Sequence, residues 1–137
     1  MILVYYMKYY TLDELIQLAK DYCYEEKELP VFFSEDNKYT RLVISKDEHL
    51  EVVVICFAPG QTSTVHDHQG SNCVVKVIKG KILETLFKEH DDYLESVSSH
   101  YVGKDEISGL DGQAVHQISN VSKEGTILIN FYSPPFA

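Results

Sequence analysis

Among its 137 residues the chain has no tryptophan, only four prolines and three cysteines, and few basic side chains. Each shortage excludes something. Twelve Lys and Arg stand against 21 Asp and Glu, a formal net charge of −9. Nucleic acid and anionic membrane surfaces both require a basic face, so neither is expected as a partner. No apolar run approaches the roughly 18 residues of a membrane span. Cys23, Cys56 and Cys73 are odd in number and irregular in spacing, with no CxxC pair. That pattern argues against a disulfide framework and for a reducing, cytoplasmic setting. The opening MILVYYMKYY is apolar but has neither a basic leader nor a small-residue cleavage site, and is not read as a signal peptide.

What is present is the balance of one globular domain: 45% hydrophobic residues and 24% charged. Thr11-Leu12-Asp13-Glu14 has the form of a capping box, and Leu12, Leu15, Ile16, Leu18 and Ala19 follow at helical spacing, with Pro30 closing the segment. From about residue 39 short β-rich runs alternate with turn residues. The expected strands are 39–45, 50–57, 64–68, 73–79, 81–88, 93–102, 114–119 and 126–132. The expected fold is mainly β, a single domain over 1–137: a helical N-terminal cap (1–37) on a β-barrel (38–137).

Chemistry concentrates around His66-Asp67-His68. In a strand, residues i and i+2 face the same side, so both imidazoles would project together and Asp67 away from them. By spacing alone this fits either a polar strand face or a pair of metal ligands. His49, His90 and His100 lie near expected turns or acidic runs and are read as solvated surface groups; Cys23 and Cys56 are read as structural.

The wider spacing narrows the choice. Gly60, five residues, His66-x-His68, four residues, Cys73, six residues and Gly80 resemble the first motif of the cupin superfamily. His116-Gln117-Ile118-Ser119-Asn120 resembles the second, without its usual proline. The resemblance implies a jelly-roll barrel holding a metal on His66, His68 and His116. Three imidazoles suit a borderline ion such as Fe(II), Zn, Ni or Cu and leave positions open. Cys73 stands where most cupins carry a liganding glutamate. That departure resembles the cysteine dioxygenase type I family of thiol dioxygenases, in a short, bacterial-like form. Tyr39-Thr40-Arg41, Ser71 with the run Lys76-Val77-Ile78-Lys79-Gly80, and Tyr132-Ser133-Pro134-Pro135-Phe136 resemble further blocks of that family, in the same order.

The resemblance implies Fe(II) as cofactor and L-cysteine and O2 as substrates, with cysteine sulfinic acid as product. It implies Arg41 and Tyr39 at the substrate carboxylate and Tyr132 beside the metal. It also implies a thioether joining Cys73 to Tyr132, and a cis Ser133-Pro134 bond. The family's Ser-x-His-x-Tyr run reads Leu128-Ile129-Asn130-Phe131-Tyr132 here, so Asn130 takes the histidine position. Asparagine can hydrogen-bond the phenol but does not titrate near neutrality. The chain stops one residue after Phe136, which leads to the expectation of a pocket mouth open to larger thiols. The competing readings are a dioxygenase of another small thiol such as 3-mercaptopropionate, a non-catalytic metal-binding cupin sensor, and a cupin isomerase. The last lacks an evident acid–base pair.

Overall fold

The computed structural model describes residues 9–136; the opening MILVYYMK lies outside them. Helix α1 (Leu12–Asp21) begins at the expected capping box. The Thr11 hydroxyl accepts from the Glu14 amide at 3.2 Å, and the Glu14 carboxylate accepts from the Thr11 amide at 3.1 Å. Leu15 and Ala19 are buried completely. The helix ends well short of Pro30, and only a 3-10 turn (Glu26–Glu28) follows. The chain turns extended at Tyr22, so that Tyr22 and Tyr24, two residues apart, pack against the same apolar cluster. The helical part of the cap is therefore shorter than the sequence suggests.

Eight strands follow: β1 (Thr40–Lys46), β2 (Glu51–Phe57), β3 (Asn72–Lys79), β4 (Lys81–Glu89), β5 (Leu94–Gly103), β6 (Ile107–Leu110), β7 (Val115–Asn120) and β8 (Thr126–Ser133). They form two antiparallel sheets, one ordered β1-β2-β8-β3-β6 and the other β5-β4-β7. Gly80, at φ +86°, turns the chain from the larger sheet into the smaller between β3 and β4. The larger sheet is covered on both faces. Val52, Val54, Ile127, Ile129 and Phe131 meet the helix side, while Val53, Ile55, Val75, Val77 and Leu128 point between the sheets. Burial on both faces explains why β2 and β8 read as near-continuous apolar runs, broken inside β8 by Asn130.

Two expectations fail locally. Residues 64–68 are not a strand; only single bridges, Thr62 with Ser119 and His66 with His116, tie this stretch to β7. Gln69 and Gly70, at φ 51° and 93°, turn the chain away at once. Strand β6 is absent from the expected set, because Ile107-Ser108-Gly109-Leu110 is short and its apolar pattern is broken. Gly109 lies where α1 crosses, and a Cβ there would meet Ile16 Cδ1 at 3.0 Å, a tight contact. No helix among the described residues is long and apolar enough to cross a membrane.

Candidate metal centre

His66, His68 and His116 converge between the sheets, with one ring nitrogen from each lying within 4.8 Å of the others. The bridge to β7 accomplishes this: His66 and His116 exchange two backbone hydrogen bonds of 2.9 Å, which sets their side chains next to each other. The face shared by His66 and His68 is thus as expected, although a single bridge rather than a strand ladder fixes it. The His66 Nδ1 donates to the Thr64 carbonyl at 2.8 Å, leaving Nε2 as a lone pair. The His116 Nδ1 donates to a Glu84 oxygen at 2.8 Å and likewise frees its Nε2, which lies 3.2 Å from the His68 Nε2. Burial holds His66 below the usual histidine range and takes His68 down to about 3, aided by the neighbouring imidazoles. His66 and His68 are therefore neutral at physiological pH. Three converging ring nitrogens, two with their tautomers fixed from behind, fit a divalent transition metal.

Glu84 was not singled out by sequence. It lies on β4 with no exposed surface and accepts from His116, from the Ser108 hydroxyl at 2.5 Å and from His100 Nε2 at 2.9 Å. Burial pushes its pKa up, yet the bonds from His116 and Ser108 bring it below the usual carboxylate range. Its only sequence signal is parity: it shares the inward face with Ile82, where a lone acid needs partners. His100 is accordingly more than a solvated surface group. His90 is also engaged, stacked on Tyr93 and 2.9 Å from Glu95, and His49 Nδ1 is buried without a partner. His100 and His90 keep solvent exposure, as expected of surface groups, but each has an acidic partner, and the surface reading is corrected for His49 alone.

On the opposite wall Cys73 and Tyr132 face each other across the β3–β8 ladder, both buried. Burial raises the Cys73 thiol, with a hydrogen bond to Tyr132 pulling the other way, and burial raises the Tyr132 phenol. Asn130 Nδ2 donates to the Tyr132 oxygen at 2.9 Å. The Tyr132 ring lies 5.6 Å from that of His68. The Ser133-Pro134 bond is cis, and the chain folds back so that Phe136 stacks on Tyr132 at 5.4 Å.

Arg41 and Tyr39 reach the same cavity, which measures about 520 Å3 and is also lined by the three histidines, Asn130, Tyr132 and Phe136. The Arg41 guanidinium lies 5.6 Å from the Tyr132 ring centroid, and Tyr39 stacks on Phe57 at 4.6 Å. Every residue singled out by the sequence for metal or substrate therefore borders one space, while Cys73, fully buried and paired with Tyr132 in the ladder, is not among its lining residues.

A barrel of the cupin type, with a three-histidine group able to hold a metal ion, is the class these sheets and histidines define. The fold is similar to the cupin domain of Cnp3 from Schizosaccharomyces pombe, with TM-score 0.63, 16% identity, and coverage of 77% of this chain and 66% of that one. It is similar also to TT1209 from Thermus thermophilus, with TM-score 0.67, 19% identity, and coverage of 82% and 96%. Residues 4–137 match the family Cysteine dioxygenase type I, and the chain belongs to that family. It is 31% identical over 109 residues to cysteine dioxygenase type 1 of Rattus norvegicus, covering 72% of this chain and 52% of the relative. The chain thus spans about half the length of the curated relatives it matches.

Proposed function

We propose that this chain is an Fe(II)-dependent thiol dioxygenase that converts L-cysteine and O2 into cysteine sulfinic acid in a reducing cytoplasm. The observation that carries the reading is that Arg41 and Tyr132 border the same cavity as the three histidines. Held by His66, His68 and His116, Fe(II) would supply open coordination positions that keep a thiol deprotonated and bring O2 to it. O2 is the whole oxidant: both its atoms end on sulfur, and no external reductant enters. Arg41 receives the substrate carboxylate in its planar fork, with the Tyr39 hydroxyl at its side. The Tyr132 oxygen accepts from Asn130, which orients the phenol at the cavity wall, and burial keeps its proton in place near neutrality. Phe136, Leu128 and Ile118 line the cavity and limit water around the sulfur. A thioether from Cys73 Sγ to the Tyr132 ring belongs to the same reading. Forming it removes one hydrogen from each residue with O2 as oxidant, so the mature protein should be lighter by two hydrogens.

The test is oxygen uptake by protein loaded anaerobically with Fe(II), offered cysteine, 3-mercaptopropionate, cysteamine and homocysteine in turn. Cysteine should drive uptake and yield stoichiometric sulfinate. Preference for 3-mercaptopropionate would move the substrate within the class. Bound iron with no uptake from any thiol would overturn the reading in favour of a metal-binding sensor.

A further inference from the structure

Glu51 is a carboxylate with only 2% of its side chain exposed, and neither the metal cluster nor the proposed chemistry uses it. It opens β2 and pairs with Tyr132 on β8, which in turn pairs with Cys73 on β3, so the three residues form one row across the sheet. Its Oε1 receives two donors. The Phe136 amide reaches it at 3.0 Å, fixing the returning chain whose ring stacks on Tyr132. The Arg41 guanidinium reaches it from β1 at 3.5 Å, with a third of the arginine side chain still exposed. The one cation proposed for the substrate carboxylate therefore already faces a buried anion of the protein.

We propose that Glu51 is the specificity-determining partner of Arg41, a positioning residue that acts through the guanidinium and sets how much of its charge remains for a substrate carboxylate. The proposal rests on the thiol-substrate reading above. An arginine held on a buried carboxylate is placed in advance, which lowers the entropy lost on binding. It is also partly neutralised, which weakens its pull on a second carboxylate at the same time. Charge and position are separable by substitution. Glu51→Gln removes the charge while leaving an oxygen to accept from the Phe136 amide.

Cysteine and cysteamine share thiol and amine and differ by the carboxylate, so their ratio isolates what Arg41 contributes. Dissociation constants for both are measured by calorimetry on anaerobic, Fe(II)-loaded protein, alongside KM and kcat from oxygen uptake. In Glu51→Gln the preference for cysteine over cysteamine should rise roughly three- to tenfold, through binding and KM rather than kcat. In an Arg41→Gln background the same substitution should leave that preference where Arg41→Gln put it. A loss affecting both ligands alike, or an equal shift in both backgrounds, would overturn the proposal and leave Glu51 as a packing residue. If the single variant does not fold, Arg41→Gln against Arg41→Gln/Glu51→Gln decides it: any change in preference there counts against action through Arg41. Uptake from no thiol would sink the dioxygenase reading, while the ratio of dissociation constants would still judge Glu51.

Discussion

The two walls of the cavity are built differently. The larger sheet carries Arg41 on its exposed edge strand β1, but its inner strands β2 and β8, the latter with Asn130 and Tyr132, are packed on both faces and buried throughout. The smaller sheet supplies His116 and Glu84, and its edge strand β5 has eight of ten residues exposed. The helix α1 makes the difference, since it covers the outer face of the larger sheet alone. Asn130 and Tyr132 are thus set in a doubly covered layer, whereas Arg41 stands on an exposed edge strand. Two of the three clustered histidines, on a thinner support, are instead fixed by hydrogen bonds that His66 donates to the Thr64 carbonyl and His116 to Glu84.

The largest effect should come from removing a ligand. His68→Ala should abolish stoichiometric metal binding, read by metal analysis after gel filtration, while a folded variant that retains full metal would break the assignment. Leu15→Ala, which strips the helix side of the larger sheet, should cost about 2–5 kcal/mol in chemical denaturation. Glu84→Gln should weaken metal affinity about 10- to 100-fold in chelator competition, because the His116 ring loses its anionic acceptor. An unaltered affinity would mean that the smaller wall does not depend on hydrogen bonds for its order.

Acid should act on the metal-free protein through the same residues. His68 stays neutral in the fold down to about 3, whereas the unfolded chain takes up that proton near the ordinary histidine value of 6.5. The unfolded state therefore binds more protons throughout that window, and stability falls as pH drops through it. His66, lowered by burial, adds to the loss, and so does Glu84, whose lowered pKa withdraws stabilisation as pH falls. His68→Gln should flatten the dependence measured by urea denaturation between about pH 7 and pH 4. The smallest effect belongs to β5: Val97→Ala, on the exposed edge strand, should stay within about 0.5 kcal/mol of the parent.

The doubly buried wall is also the more legible in sequence. Its inner strands are long apolar runs, and Tyr132 and Cys73 stand within recognisable blocks, as does Arg41 on the exposed edge. The capping box marks the start of α1 but not its end, because Tyr22 and Tyr24 leave the helix for a contact with residues far along the chain. His66 and His68 stand out by spacing, though the backbone that aligns them is a bridge and a turn. Glu84 and Glu51 are invisible. A buried acid is stabilised by donors from other strands, and nothing in the neighbouring sequence announces Ser108, His116, Arg41 or the Phe136 amide. Strand β6 escapes notice because four residues interrupted by a glycine carry too little periodicity.

One measurement tests the central claim most directly: oxidation of cysteine by the Fe(II)-loaded protein under isotopically labelled O2, with the product analysed by mass spectrometry. The expected product is cysteine sulfinic acid carrying both labelled atoms. Iron-loaded protein that yields no sulfinate, or sulfinate whose oxygens come from water, would contradict it.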